Sequence, residues 1–207
     1  MIITFVKMHI KDSQINMHKM NDFWCEKGHF NLDQGILIQD LIEKYNPTYA
    51  LETGFCTGRS TSVVLTKATN LKKMISIDIN FDYMKPEGRI YRKKLEDGFP
   101  VFSTIENSSK IILNDNFLKK EYPNGIDWVT VDGDHSYEGC LFDLKAVINH
   151  MNKNGIIVVD DYKSGPPNGC RIDAVTNACD DFYAQNRQLH KGEWNNKGKG
   201  FCIFRIP

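Results

Sequence analysis

At 207 residues the chain is long enough for one well-buried core and short for two ordinary domains, so a single domain over 1–207 is expected, with residues 1–30 as an N-terminal arm. Its 26 Lys and Arg balance 26 Asp and Glu, which removes the global field that recruits phosphate backbones and argues against nucleic acid as a partner. The apolar opening Met1 to Phe5 breaks at Lys7 with no signal-peptide core or bilayer-length run behind it, and Cys25, Cys56, Cys140, Cys170, Cys179 and Cys202 form no C-x-x-C pair; a cytoplasmic protein with reduced core thiols, no membrane partner and no zinc or redox motif is expected.

In chain order, Asp33 to Tyr45 carries Ile36, Leu37, Leu41 and Ile42 at helical spacing, and Asn46-Pro47 ends that helix. A strand Tyr49 to Thr53, a helix Arg59 to Thr69, a strand Met74 to Asp78, a charged helix within Asp82 to Asp97, a strand Val101 to Ile105 and another helix follow. Next come a strand Asp127 to Asp132, a helix Tyr137 to Met151 and a strand Ile156 to Asp160. Such alternation predicts a parallel sheet between helix layers. Beyond Pro166-Pro167 the helix Arg171 to Tyr183 shows Ile172, Val175, Cys179 and Phe182 in period. A hairpin with arms Arg187 to Glu193 and Gly200 to Arg205, joined through Asn195-Asn196-Lys197-Gly198, closes the chain. The fold class is therefore α/β, with a doubly wound, mostly parallel seven-stranded sheet and an antiparallel C-terminal hairpin.

The segment from Leu51 to Ser60 follows the first of these strands and opens the next helix, where an open α/β sheet binds its ligand. Gly54 is expected to turn the chain sharply and leave room for a ligand against the backbone. Gly58 and Ser60 start a helix whose free N–H groups suit a carboxylate, and Glu52 can accept from a cationic amine. Asp78 ends the next strand 24 residues past Gly54, about where such folds place an acid for ribose hydroxyls. E-x-G-x-x-x-G lacks the glycine with which the dinucleotide fingerprint accommodates a pyrophosphate, so a ligand without phosphates fits better; a ligand-free tight turn is the plain alternative. These residues resemble class I S-adenosylmethionine-dependent methyltransferases, from roughly Gly28 to the C-terminus, with Glu52-x-Gly54-x-x-x-Gly58 as the glycine motif and Asp78 as the ribose acid. The resemblance implies a Rossmann-like fold, S-adenosylmethionine as cofactor, and adenine near Glu106-Asn107-Ser108-Ser109, with Ser108 in contact. Relatives often carry Gly-Asp-Ser there, and Ser108 serves equally as a helix N-cap.

Two expected neighbours end in acids: Val131-Asp132-Gly133-Asp134-His135 and Val158-Val159-Asp160-Asp161-Tyr162. Parallel strands about 4.8 Å apart bring such carboxylates to one point above the sheet edge. Oxygen donors there describe a hard divalent cation site, Mg²⁺ completed by waters, held by Asp132, Asp160 and Asp161. A metal on an alcohol oxygen lowers its pKa and aligns it with a sulfonium methyl, and His135 is placed to take the proton as general base. The blander reading makes these acids helix caps or partners of lysines, as Asp134 would be in capping the Ser136 helix. Tyr162, Lys163 and Gly165-Pro166-Pro167 are candidates to border an acceptor pocket, and Trp24, His29 and Phe30 to form a lid or a packed arm. Asp132-x-x-His135 followed by Asp160-Asp161 is also similar to the Mg²⁺-dependent macrocin-type sugar O-methyltransferases, whose matching positions hold metal and base; that family can carry Glu at the Asp160 position.

The reading is methyl transfer from S-adenosylmethionine to a hydroxyl of a small polar acceptor, with a sugar as its class. Its rivals are a metal-free N- or O-methyltransferase, a nicotinamide oxidoreductase disfavoured by the missing glycine, and a non-catalytic S-adenosylmethionine-binding module that would have no need of the acids and His135. Oligomeric state, a homo-oligomer included, stays open.

Overall fold

Asn31 opens α1 (Leu32–Tyr45) with a reciprocal cap: its side chain accepts from the Gln34 amide, and the Gln34 side chain accepts from the Asn31 amide. Asn46, left-handed at φ 42°, ends the helix. The computed structural model describes residues 23–166 and 172–207; Met1 to Phe5, most of the expected arm, Pro167, Cys170 and the predicted helix start at Arg171 lie outside them.

The remaining elements are β1 (Tyr49–Thr53), α2 (Arg59–Lys67), β2 (Lys73–Asp78), α3 (Glu87–Gly98), β3 (Phe102–Glu106), α4 (Ser109–Ile112), α5 (Asp115–Glu121), β4 (Ile126–Val131), α6 (Tyr137–Ile148), β5 (Met151–Val159), α7 (Asp173–Gln185), β6 (His190–Asn196) and β7 (Lys199–Arg205). The strands form one sheet in the order β3-β2-β1-β4-β5-β7-β6. The first five run parallel, and β7 lies antiparallel to both β5 and β6. This is the expected mostly parallel, seven-stranded, Rossmann-like sheet with its antiparallel hairpin.

Each central strand feeds two cores. Trp128, Ile156, Val158 and Phe201 pack with α1, α2 and α3 on one face, while Val129, Ile157, Val159 and Cys202 pack with α6 and α7 on the other. Full burial of a side chain of this size contributes roughly 1.5–3 kcal/mol, so the two layers clamp the sheet from both sides. Cys25, Cys140, Cys179 and Cys202 are free, buried thiols. Among the described residues no helix is long and apolar enough to cross a membrane.

Two of the boundaries that differ from expectation bear on the site. β5 begins at Met151, which pairs with Ile126, and the register then shifts across the polar Asn152-Lys153-Asn154 before Ile156 pairs with Trp128, so an irregularity in the strand reads as loop in the sequence. The β6 arm runs to Asn196, leaving the two-residue turn Lys197-Gly198. That turn folds over the end of β5: Gly165 N donates to Gly198 O at 2.8 Å, Gly200 N to Ser164 Oγ at 3.2 Å, and Asn195 Nδ2 to Lys163 O at 3.0 Å. Asn196 Nδ2 ties it to Asp33 of α1 at 3.0 Å.

Candidate active site

The turn after β1 is built by close backbone approach. Gly54 has φ 87°, and a Cβ there would sit 2.0 Å from the Asp132 carbonyl oxygen. On the side where a Cβ would project, Gly54 is packed against the β4 loop, so glycine is required there by the backbone of Asp132. Gly58, at φ 73°, is the left-handed N-cap of α2, and a Cβ there would meet the Phe55 ring at 2.6 Å. Asp78 fastens the turn from β2: its Oδ2 accepts from the amides of Phe55 at 2.7 Å and Cys56 at 3.0 Å, its Oδ1 from Asn80 at 2.9 Å.

Glu52 is corrected. It is fully buried and accepts from Ser60 Oγ at 2.5 Å, Ser76 Oγ at 2.6 Å and the Thr61 hydroxyl, so no ligand amine reaches it. Burial pushes its pKa up to about 7 against the lowering effect of those hydroxyls. The Ser60 side chain is spent on the same cluster; what Ser60 still offers a ligand is its backbone amide in the first turn of α2.

Chain 23–30 lies against this turn. The Arg59 guanidinium donates to the carbonyls of Cys25 at 2.6 Å, Gly28 at 3.1 Å, Phe30 at 2.7 Å and Glu26, and stands 5.1 Å from the centre of the Trp24 ring. Thr57 Oγ1 donates to Lys27 O at 2.8 Å. Trp24 and Phe30 are therefore packed arm rather than free lid, and the residue that organises them is Arg59, for which local sequence gives no signal. Ser108 is the N-cap of α4, with no bond from its side chain to the helix. Ile79, directly after Asp78, is 74% exposed, an apolar side chain at the rim that the periodicity of β2 passes over.

The acids do meet. Backbone bonds extend the ladder past the strands, Asp132 N to Thr53 O at 2.8 Å and Asp160 N to Val131 O at 3.0 Å, which sets both residues on the same edge. His135 stands between them, with Nε2 3.1 Å from Asp132 Oδ1 and Nδ1 3.5 Å from Asp161 Oδ2. Asp160 Oδ1 accepts from Gln34 Nε2 at 2.7 Å and from the Asp161 amide at 2.8 Å, while Lys199 Nζ lies 3.5 Å from Asp161 Oδ1. Burial raises Asp132 and Asp160, Asp160 further still through the neighbouring carboxylates. The Asp132 hydrogen bond pushes His135 up to about 9, above the near-neutral value expected of a base. Among the described residues no group of three or more His, Cys, Asp or Glu side chains is arranged to hold a metal ion as it stands.

Gln34 and Lys199 were not foreseen. The antiparallel register of β5 with β7, Val159 opposite Cys202, is what carries Lys199 past the end of β5. Asp134 sits apart, accepting from Lys110 Nζ and the Ser136 amide at 2.9 Å each, while the cap of α6 is Ser136 itself, whose side chain accepts from the Gly139 amide. Tyr162 and Lys163 turn to the hairpin and α7: the Tyr162 hydroxyl is engaged with Asp180, Glu193 and Lys191, and Lys163 pairs with Glu193.

Residues 51–162, just over half of the chain, match the family model described as a methyltransferase domain. A 41-residue segment is 46% identical to an uncharacterized protein of Acanthamoeba polyphaga mimivirus, spanning 20% of this chain and 19% of that protein. Among solved structures, an O-methyltransferase from Bacillus cereus in complex with S-adenosylhomocysteine aligns with TM-score 0.70 at 13% identity, over 99% of this chain and 94% of its own. The O-methyltransferase TomG from Streptomyces achromogenes, involved in tomaymycin synthesis and bound to S-adenosylmethionine, aligns with TM-score 0.68 at 15% identity over 98% and 92%. A Podospora anserina methyltransferase bound to S-adenosylhomocysteine aligns with TM-score 0.65 at 17% identity over 97% and 91%. These likenesses establish a shared fold.

Proposed function

Because the chain belongs to the methyltransferase domain family and has the class I methyltransferase fold, we propose that it passes the methyl group of S-adenosylmethionine to a hydroxyl of a small polar acceptor, a sugar in class. The observation that carries this is the contact of Gly54 with the Asp132 backbone. It joins the glycine turn to the acidic cluster, so a sulfonium held at one lies beside an alcohol held at the other. The Ser60 amide and its neighbours in the first turn of α2 face the cofactor carboxylate. Asp78 and Ser108 mark the ribose and adenine ends, with Ile79 as apolar rim. Residues 23–30 close over the turn within a single domain.

In the transfer the acceptor oxygen attacks the methyl carbon, the C–S bond electrons return to sulfur to give the thioether, and the hydroxyl proton leaves. His135 is the group that takes it, once Asp132 and Asp161 are drawn away from the ring and its raised pKa falls back. The three acids fit a hard divalent cation in kind: all are oxygen donors, and the mutual repulsion that raises Asp160 would be relieved by one. Asp132, Asp160 and Asp161 would hold it, and when bound it supplies the charge that acidifies an alcohol. A metal-free transferase is the second reading, favoured by the His135 ring and the Lys199 ammonium already standing at the acids.

Calorimetric titration of S-adenosylmethionine and S-adenosylhomocysteine, each with Mg²⁺ or EDTA, into the wild type and an Asp132→Ala, Asp161→Ala double variant tests this. Cofactor binding plus a Mg²⁺ signal lost in the variant is expected. Cofactor binding alone would leave the metal-free reading, and absence of cofactor binding would remove both.

A further inference from the structure

Lys199 stands at the acidic cluster but is neither an expected metal ligand nor the group that takes the proton. It opens β7 at the hairpin tip, and the bonds from Gly165, Gly200, Asn195 and Asn196 fix that tip over the end of β5. Its ammonium approaches Asp161 Oδ1 at 3.5 Å, while the His135 ring approaches the other oxygen, Oδ2, also at 3.5 Å. The Lys199 side chain is only 11% exposed, so water and salt screen its charge weakly. One oxygen of Asp161 thus already faces the Lys199 ammonium and the other the His135 ring, and Asp160 Oδ1 already accepts from Gln34 and the Asp161 amide.

Resting on the reading of Asp132, Asp160 and Asp161 as divalent-ion ligands, we propose that Lys199 is a built-in cation that holds the affinity of this cluster for divalent ions low. It does so in two ways. It takes up an oxygen that a hard cation needs, and its fixed charge repels a doubly charged ion twice as strongly as it would a singly charged one. The hairpin, far in sequence from the acids, thereby becomes the element that decides whether the site runs with a metal or with its own ammonium.

The test is Mn²⁺ titration of the full chain without cofactor, read by the electron paramagnetic resonance of free Mn²⁺, for wild type, Lys199→Met and Lys199→Arg. Losing the charge is expected to tighten Mn²⁺ binding at least about tenfold, whereas the arginine variant stays within about twofold of wild type. Equal affinity in wild type and Lys199→Met, or binding by neither, overturns the proposal. Lys199→Gln is measured in the same way and carries the same prediction should the methionine variant not fold. S-adenosylhomocysteine binding in the same samples separates the two layers. Retained S-adenosylhomocysteine binding with no Mn²⁺ difference sinks the role of Lys199 alone; a Mn²⁺ difference without S-adenosylhomocysteine binding sinks the methyltransferase reading and keeps Lys199.

Discussion

Two carboxyl clusters flank Gly54, and they are satisfied in opposite ways. Glu52 is surrounded by three hydroxyls, from α2 and β2, and by no cation. Asp132, Asp160 and Asp161 face an imidazole, an ammonium and an amide. Neutral partners let Glu52 hold a proton near neutrality and act as a rivet between β1, β2 and α2. Charged partners balance the second cluster only as long as they stay in place, so an arriving ligand can redistribute its protons and bonds. Burial of an acid alone therefore does not distinguish the two sites; the kind of partner does.

The comparison breaks first at the joint. In Gly54→Ala a Cβ must enter within 2.0 Å of the Asp132 carbonyl oxygen, so a stability loss on the order of 4 kcal/mol is expected in urea denaturation. An unchanged midpoint would mean that the two clusters are not rigidly joined. Next comes Glu52, whose folded value of about 7 stands above its ordinary 4.5. Its protonated form favours folding, a contribution whole below pH 4.5 and lost as pH rises to about 7, at most on the order of 3 kcal/mol. Glu52→Gln cannot ionise, so its stability should decline less across that window and exceed wild type at about pH 8; parallel pH profiles would contradict this.

Smaller effects sharpen the contrast. Asp160→Asn keeps an acceptor for Gln34 and the Asp161 amide while removing a repelled charge. Its melting temperature at neutral pH should match or exceed wild type while Mn²⁺ affinity falls about tenfold, near 1.4 kcal/mol. A large drop in melting temperature would make Asp160 a rivet like Glu52. Ser108→Ala removes a side chain that makes no cap bond, so stability should stay within about 0.5 kcal/mol, with any loss appearing in S-adenosylhomocysteine affinity.

The alternation of strands and helices, the adjacency of β4 and β5 and the meeting of Asp132, His135, Asp160 and Asp161 were legible in the chain because apolar period, turn residues and acids at strand ends are local signals. The start of β5 was not, since the register shifts across Asn152 to Asn154, whose polar side chains look like loop. Glu52 was located correctly and given the wrong partner: one sequence shows the carboxyl, but Ser76 reaches it from 24 residues away. Gln34, Arg59 and Lys199 act through partners 126, 29 to 34 and 38 residues distant, and no local pattern encodes such contacts.

The sheet also has two margins, and their make-up bears on how the chain behaves in a crowd. β6 pairs on one side only among the described residues, and a bare strand edge is a template on which another chain can add its own strand. Here that edge carries Lys191, Gly192 and Glu193 in sequence, two charges around a residue with no side chain to zip against. At the opposite margin β3 is five residues long and ends in Glu106, which is paired with Arg89. Both borders thus discourage strand-to-strand aggregation while the chain is being made, by charge on one side and brevity on the other.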